Sequence, residues 1–415
     1  MAKEFDRTGD RSAIPMPPPM DFPEHGAPEE DVLADLAAHL TSDPYAVEKN
    51  FGVSYVGPPH AIVERVRDLT AGRFFVEWAR EMNPATDLFE KQAVRMLGSL
   101  LGHPEAVGFI TSGGTESNLM AMRLARNLAG VSEPEVVLPV SAHYSFRMAA
   151  ELFGLRLREI PVDDAMRPDM SQVEQLVNQH TVALVCSAPE GNFGQLDPVE
   201  EFSAIAERHG LYLHVDAAFG GFGLPFVREL GYQVPAFDFS LPGVSSMMTD
   251  GHKLGLLPVA TGFFLVRDAD MLNAIPSDST VIHTITATKP GDHAAAAWAV
   301  MRHLGRSGYR ASIKNLLEVI QIVSEGIDAI AGLRLLARPG LGVVNFTSDV
   351  VDVEQLHLEL RKSGWGSTYG QSGGAGRIRL SIHPHRDVTH AREFVEVLAT
   401  VVEGLRGTKG DGHVT

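Results

Sequence analysis

The chain has 415 residues, of which 44% are hydrophobic and 21% charged, the composition of a soluble globular protein of about two or three domains. Its formal net charge of −17 disfavours binding to nucleic acids, because an acidic surface repels their phosphate backbone. The single cysteine, Cys186, excludes an intramolecular disulfide bond and a cysteine-based zinc site, and it fits a reducing compartment.

The composition of residues 1–50 predicts an N-terminal arm or segment that is polar at its start. Its start, MAKEFDRTGDRSAIP, is charged and has no apolar core, so it does not have the pattern of a signal peptide. The proline-rich part up to about residue 30 suits either a disordered tail or an arm that packs on a partner subunit. Apolar runs elsewhere, such as HAAAAWAVM, are too short to span a bilayer, so we expect a cytoplasmic protein.

From residue 51 onwards, amphipathic helical segments alternate with short apolar runs. Helices such as residues 199–210 lie between the runs, and this order predicts an α/β fold. Four runs lack the polar–apolar alternation of half-exposed strands, which favours a parallel sheet covered on both faces. These runs are residues 135–143, 181–189, 210–218 and 261–268.

The second part of the chain repeats this alternation on a smaller scale. A long helix is predicted over residues 309–332, followed by strand, helix, strand and helix. We therefore expect a large domain over residues 51–305, and a connecting helix with a small C-terminal α/β domain over residues 306–415.

The segment TSGGTESNLMAMRLARNLAG, residues 111–130, combines a turn with the start of a helix. Free N–H groups at a helix N-terminus, two glycines and two hydroxyl groups form a suitable cup for a phosphate group. A capped helix that binds nothing would show the same pattern, and Glu116 in its first turn neither supports nor excludes a phosphate. The residues of the cup are Ser112, Gly113, Gly114 and Thr115.

Asp216 ends the predicted strand in HVDAAFGGF, where small Ala217 and Ala218 leave flat space beside it. A buried carboxylate needs a cationic or protonated partner, although an aspartate that only caps the next turn is the alternative. His143 follows another predicted strand and, taken alone, also suits a structural role.

Lys253 lies in TDGHKLGLLP, between segments that are predicted to be buried. An enclosed lysine is readily shifted toward the neutral amine, the form that makes an imine with an aldehyde. A phosphate cup, a histidine that stacks on a ring, a carboxylate for a ring nitrogen and this lysine together describe a site for pyridoxal 5'-phosphate. Each stands at the end of a strand or the start of a helix, where open α/β sheets bind ligands.

The chain resembles the group II pyridoxal-phosphate-dependent decarboxylases, because TSGGTESNLMA, HVDAAFGGF and DGHKLG match hallmark stretches of that family in order. The similarity extends from about residue 80 to about residue 400. The tract HTITATKPGDHAAAAWAVMRHLGRSGY and the tail RLSIHPH resemble tyrosine/aspartate decarboxylases, whereas SAPEGNFGQLDP and FDFSLPGVSSMMTDGHK resemble sphingosine-1-phosphate lyase. The resemblance implies the aspartate-aminotransferase-like fold (fold type I), with a mainly parallel seven-stranded sheet, and a homodimer with shared active sites.

The resemblance also implies roles for single residues. Lys253 would form the Schiff base with the cofactor, Asp216 would contact its pyridine nitrogen, and His143 would stack on its ring. The further cofactor contacts are Ser112, Gly113, Gly114, Thr115, Ala218, Asp250 and His252.

Arg379 is the candidate anchor of the substrate. In GRIRLSIHP, alternation places Arg377, Arg379 and Ser381 on one face of a strand, and Arg379 aligns with the arginine of the decarboxylase tail. A guanidinium group binds a carboxylate through two parallel hydrogen bonds, although surface arginines on an edge strand are the alternative. Tyr55 and Asn83 are further candidates for the substrate pocket.

Residues 276–291 are expected to form a loop that closes over the site. Many relatives carry a proton-donating tyrosine there, and His283 is the nearest titratable replacement in this chain. Lys289 stands where the family commonly has arginine, which predicts an anion contact across subunits that is weaker or differently shaped.

The leading hypothesis is decarboxylation of an aromatic or acidic L-amino acid to its amine, through the Lys253 Schiff base and a quinonoid intermediate. Two other reactions remain open: cleavage of a carbon–carbon bond in a phosphorylated amino alcohol, and decarboxylation coupled to oxidative deamination, which gives an aldehyde. A binding module that kept the fold without catalysis is a further alternative, and a covalent link between the cofactor and Lys253 would argue against it.

Overall fold

A computed structural model of the chain describes residues 22–40, 49, 51–52, 56–71, 84–164, 166–277, 284–286, 289–372 and 375–410. Two sheets organise this part of the chain. The strands of the larger sheet are β1 (Val107–Thr111), β2 (Glu135–Pro139), β3 (Arg156–Ile160), β4 (Thr181–Ser187), β5 (Tyr212–Asp216), β6 (Val244–Asp250) and β7 (Gly262–Val266). The strands of the smaller sheet are β8 (Leu333–Leu335), β9 (Val343–Ser348), β10 (Thr368–Ser372) and β11 (Ala375–Ser381).

Helices connect and cover these strands. Those of the first part are α1 (Glu29–Leu40), α2 (Ile62–Thr70), α3 (Pro84–Leu100), α4 (Gly114–Ala129), α5 (Ser145–Phe153), α6 (Met170–Leu176), α7 (Val199–His209) and α8 (Gly220–Glu229). A 3₁₀ helix at Ala269–Ala274 precedes α9 (Gly291–Ala329), α10 (Val353–Lys362) and α11 (Val388–Gly410). Among the helices of the described ranges, none combines the length and the hydropathy that crossing a bilayer requires.

The larger sheet has the strand order β1-β7-β6-β5-β4-β2-β3. Strands β2 to β6 run parallel to one another, as the apolar runs predict. The run at 261–268 was expected to be parallel as well, but β7 is antiparallel to both β6 and β1. The connection between β6 and β7, residues 251–261, is too short for the crossover that a parallel pair needs. The predicted α/β class, with a mainly parallel seven-stranded sheet and a small C-terminal α/β domain, is confirmed.

Both faces of the large sheet are covered, which explains why its strands lack alternation. Every residue of β4 and β5 is buried. Leu213 and Val215 belong to one apolar cluster, whereas Tyr212 belongs to the cluster on the other face. A strand that packs on both sides is apolar at consecutive positions.

The long helix α9 begins earlier than predicted, at Gly291, and its backbone is non-helical at Gly305, where φ is 52°. This break lies at the residue where the sequence places the end of the large domain, and the domain division itself stays a prediction. The smaller sheet has the order β10-β11-β9-β8 and is antiparallel throughout.

Candidate active site

The predicted phosphate cup lies at the N-terminus of α4, beside the turn that carries Lys253. Gly113 has a φ of 117°, and a Cβ atom there would lie 3.5 Å from Cε1 of His252. A Cβ atom at Gly114 would approach the Asp250 carboxylate oxygens to 2.9 and 3.0 Å. The two glycines are therefore required by backbone conformation and by close approach. They bring the first free N–H groups of a 16-residue helix next to His252.

Glu116 fills part of this cup from within the chain. Its Oε2 atom accepts the backbone N–H of Ser112 at 2.6 Å, and its Oε1 atom accepts the N–H and the hydroxyl of Thr286 at 2.9 and 3.0 Å. Burial would raise the pKa of Glu116, but the donors Ser112 and Thr286 outweigh it and lower the pKa. The Ser112 N–H is thus held by Glu116, and Glu116 joins the cup to residues 284–286 of the expected loop.

Asp216 lies at the carboxyl end of β5 with 6% of its surface exposed. Its Oδ1 atom accepts the N–H of Ala218 at 3.1 Å, and its Oδ2 atom accepts Nδ2 of Asn118 at 2.9 Å. Each oxygen of this carboxylate therefore accepts a hydrogen bond from an N–H donor. The alternative of an aspartate that only caps a turn accounts for the first contact but not for the second.

Asn118 also connects Asp216 to His143. Its Nδ2 atom lies 3.0 Å from Oγ of Ser145, which in turn lies 2.9 Å from Nδ1 of His143. The His143 side chain is exposed, as a ring that stacks on a ligand must be. Sequence reasoning missed Asn118 and Ser145. Asn118 follows Gly114 by four residues, which is about one helical turn, so the two lie on the same face at the start of α4. This spacing is the signal in the sequence that could have identified Asn118.

His214 supports Asn118 from the opposite side. Its Nε2 atom lies 2.9 Å from Oδ1 of Asn118, and its Nδ1 atom lies 2.7 Å from Oγ of Ser246, its partner residue on β6. Burial lowers the pKa of His214 to about 3, so the ring is neutral. Sequence analysis also missed His214, although it precedes Asp216 by two residues and so shares its face of the strand.

Lys253 is enclosed as the sequence predicts, with 17% of its side chain exposed. Its Nζ atom lies 2.8 Å from Oδ2 of Asp250 and 4.9 Å from the ring centre of Phe219. This ion pair with an aspartate three residues before the lysine was not predicted from the sequence. The expectation of a neutral amine stays a prediction.

Arg379 lies on an interior strand, since β11 pairs with β10 on one side and with β9 on the other. Its Nη1 atom lies 3.4 Å from Oδ1 of Asn192, in the loop at the carboxyl end of β4. Arg377 is buried, with its guanidinium group 4.6 Å from the ring centre of Phe193 and Nη1 3.1 Å from Oδ1 of Asn345. The alternative of surface arginines on an edge strand is therefore wrong.

Other predicted site residues fall outside the described residues, namely Tyr55, Asn83 and His283. Lys289 is described, and 7% of it is exposed. It pairs with Glu90 at 3.5 Å and donates to the carbonyl of Ile110. These contacts of Lys289 lie within its own chain, and the expected contact across subunits stays a prediction.

A second buried carboxyl group, Asp197, lies near Asp216. Its Oδ2 atom accepts the N–H of Ser187 at 2.7 Å. Burial, with the nearby charges of Glu190 and Asp216, raises the pKa of Asp197 to about 8 from 3.8. The folded protein therefore holds this proton more tightly than the unfolded chain does, and the stability that Asp197 contributes falls as the pH rises from about 4 to about 8.

Asp197→Asn is expected to remove this pH dependence, because asparagine keeps an acceptor for Ser187 but does not ionise. Thermal unfolding of both proteins between about pH 5 and about pH 9 measures it. The melting temperature of the wild type should fall relative to that of the variant as the pH rises, and the difference should level off above about pH 8. Two parallel curves would contradict this assignment.

The contacts above gather the predicted motifs at one edge of the large sheet. Asp216 and Asp250 end β5 and β6, α4 follows β1, and His143 follows β2. A helix N-terminus that begins with two glycines, an exposed imidazole, a buried carboxylate with two donors and a lysine fit pyridoxal 5'-phosphate, as open α/β sheets bind ligands at this edge. Fold and site together define a pyridoxal-phosphate enzyme of fold type I.

Comparison with known proteins gives the family. The model of the pyridoxal-dependent decarboxylase conserved domain matches residues 16–349. A probable L-tyrosine/L-aspartate decarboxylase from Methanothermobacter thermautotrophicus is 42% identical over 76% of this chain and 87% of its own length. An L-aspartate decarboxylase from Thermococcus kodakarensis is 36% identical over 92% of this chain and 100% of its own length.

Solved structures agree on the fold. A sphingosine-1-phosphate lyase from Burkholderia pseudomallei has a TM-score of 0.85 and 31% identity, and the alignment covers 94% of each chain. A glutamate decarboxylase from Lactobacillus brevis has a TM-score of 0.84 at 18% identity and covers 96% of each chain. The chain belongs to the pyridoxal-dependent decarboxylase family. The predictions of a pyridoxal 5'-phosphate cofactor and of an amino-acid decarboxylase are thereby confirmed.

Proposed function

We propose that the chain decarboxylates L-aspartate to β-alanine, and that it does so as a homodimer with shared active sites. The observation that carries the choice of substrate is the pair of arginines on the interior strand β11. Arg379 reaches Asn192 at the ligand-binding edge of the large sheet, so a cation from the small domain faces the same edge as Asp216 and Lys253.

A cation in this position favours a substrate with a second carboxylate. If Arg379 held the α-carboxylate, it would stabilise the ground state of the group that must leave, and that contact would be lost as carbon dioxide forms. If it holds the side-chain carboxylate, the contact persists through the reaction and only orients the substrate. Aspartate supplies such a carboxylate, and tyrosine does not.

The other residues have complementary roles in this proposal. The N-terminus of α4, with Gly113, Gly114 and Thr115, and the neighbouring His252 hold the cofactor phosphate. Ala218 borders the ring, and Asp216 provides the negative charge that a protonated pyridine nitrogen requires. When bound, pyridoxal 5'-phosphate supplies an acceptor for the electrons of the bond that breaks at Cα.

Lys253 and Asp250 form the ion pair that positions the amine, and Lys253 can carry a proton to or from the substrate. His143 presents its exposed ring to the cofactor, and its orientation follows from the Ser145 contact. The candidate for the group that returns the final proton is His283, which lies outside the described residues.

The names of relatives support aspartate as the substrate. The two relatives compared above are both named for L-aspartate, and one is named for L-tyrosine as well. The alignment with the Thermococcus protein covers 100% of that protein and 92% of this chain.

Exposed apolar side chains support the homodimer. On α1, Val32, Leu33, Leu36 and Leu40 are 52–60% exposed, and no residue of this helix is buried. Directly after His143, the N-cap residue Tyr144 and the α5 residues Met148 and Leu152 are exposed and follow each other at helical spacing. Contiguous exposed apolar surface favours a protein interface, and a partner that covers α5 would also enclose the site at His143.

A substrate panel with purified, cofactor-supplied protein tests the proposal. We expect L-aspartate to give β-alanine and carbon dioxide with a higher kcat/KM than L-glutamate or L-tyrosine. Arg379→Gln should raise KM for L-aspartate by about 10–10²-fold, because a charged hydrogen-bond partner is lost, and should change turnover of L-tyrosine much less. Preference for tyrosine, or an equal effect of R379Q on both substrates, would exclude the proposed anchor.

The second candidate is a carbon–carbon lyase acting on a phosphorylated amino alcohol. The observation in its favour is the likeness to the Burkholderia lyase over nearly the whole chain. The same two arginines would then bind the substrate phosphate. Sphingosine 1-phosphate in the panel distinguishes the two candidate functions, since a lyase would convert it to a long-chain aldehyde without releasing carbon dioxide.

A further inference from the structure

The turn that carries Lys253 is held by three distant parts of the chain. Nε2 of His383, after β11, lies 2.8 Å from the carbonyl oxygen of Lys253. The hydroxyl of Tyr309, on α9, donates to the carbonyl of Gly255 at 2.9 Å. The N–H of His60 donates to the carbonyl of Leu256 at 2.8 Å, and Leu256 itself has a φ of 58°. A turn with a non-glycine residue in the left-handed region needs such support.

The direction of the hydrogen bond at Lys253 follows from the chemistry of its partners. A carbonyl oxygen can only accept, so Nε2 of His383 carries the proton. Burial lowers the pKa of His383 to about 4, so the ring is neutral and its Nδ1 atom has no proton. Nδ1 of His385 lies 2.6 Å away and therefore donates to it. His385 thus fixes the tautomer in which His383 can hold Lys253.

His383 is also close in the sequence to Arg379, the candidate substrate anchor, which it follows by four residues. Hydrogen bonds to two other parts of the chain hold the segment between them. The N–H of Ser381 donates to the carbonyl of Phe51, and the N–H of Ile382 donates to the carbonyl of Gly342 at 2.7 Å. On the far side, Nδ2 of Asn315 donates to the carbonyl of Pro384 at 3.0 Å. The segment that joins Arg379 to His383 is therefore fixed by hydrogen bonds and is not a free loop.

We infer that His383 is a positioning residue, which fixes the backbone at Lys253 and couples it to the strand that carries Arg379. This inference rests on the proposed function, because it takes Lys253 as the cofactor lysine and Arg379 as the substrate anchor. An error of about 1 Å in the position of a reacting group can cost about 10²-fold in rate, so a hydrogen bond to the backbone of Lys253 bears directly on catalysis.

Three variants test the inference. His383→Leu removes the donor, and His383→Gln keeps an N–H group that can reach the same carbonyl. His357→Leu is the matched control, because His357 is another buried histidine of the small domain whose Nδ1 atom contacts Ser367 at 2.8 Å and not the lysine turn. We expect H383L to bind pyridoxal 5'-phosphate at least about tenfold more weakly and to lower kcat by about 10–10²-fold, with a smaller change in KM.

The control and the conservative variant separate positioning from stability. H383Q should restore cofactor affinity to within about threefold of the wild type, whereas H357L should lower the melting temperature without changing cofactor affinity. Affinity is read from the visible absorption of the bound cofactor without substrate, so it does not depend on which substrate is correct. If H383L matches H357L in cofactor affinity and in kcat, the inference is overturned, whatever the substrate panel shows.

Discussion

Replacing Lys253 with alanine is expected to lower the rate of decarboxylation by at least about 10³-fold. With the proposed role of Lys253, the variant loses both the covalent attachment of the cofactor and a proton carrier. Proton transfer by a positioned side chain alone contributes about 10²–10⁴-fold. The ion pair with Asp250 at 2.8 Å indicates that the amine is already oriented by the protein.

The charge of Lys253 and its nucleophilicity can be separated by a second variant. Lys253→Arg keeps a cation opposite Asp250 but offers no amine, so it should be as inactive as K253A. Lys362→Ala, at a lysine whose side chain is 71% exposed, should behave as the wild type. Borohydride treatment followed by peptide mapping should place the cofactor adduct at residue 253. An adduct at another lysine, or more than about a tenth of wild-type activity in K253R, would contradict the assignment.

The parts of the fold that depend on local pattern could be predicted from the sequence. The apolar runs of β4 and β5 predicted buried parallel strands, and the glycines before α4 predicted a helix N-terminus open to an anion. Asp216 and Lys253 could be located at the same edge of the sheet because each stands in a short motif at, or three residues after, the end of a strand. These features depend on residues close together in the chain, and local preference is therefore sufficient to predict them.

The parts that could not be predicted depend on residues distant in sequence. Asn118 and Asp216 are separated by 98 positions, and Lys289 and Glu90 by 199. A single sequence does not show that such pairs meet, because their contact depends on how the strands and helices are ordered in space. The antiparallel direction of β7 was missed for a related reason, since an apolar run does not specify the direction of its neighbour. The ion pair of Lys253 was missed because burial alone was considered, without the aspartate three residues before it.

Replacing Asp216 with asparagine is expected to lower kcat by about 10²–10³-fold, because asparagine cannot provide the negative charge opposite a protonated pyridine nitrogen. The contact with the N–H of Ala218 can persist, so the fold should change little. Asp238→Asn is the matched control: Asp238 is also buried, and its Oδ1 atom accepts the N–H of Ser240 at 3.0 Å, away from the cluster around Asp216. The control should keep the wild-type kcat.

A cofactor analogue decides whether Asp216 acts through the ring nitrogen. In 1-deaza-pyridoxal phosphate a carbon atom replaces that nitrogen, so the carboxylate has no proton to hold there. With this analogue both the wild type and D216N should be slow, and their rates should differ by less than about threefold, whereas the full difference should appear with the natural cofactor. A penalty of the same size with both cofactors would mean that Asp216 supports the site through Asn118 and the backbone, and the assigned role would then be wrong.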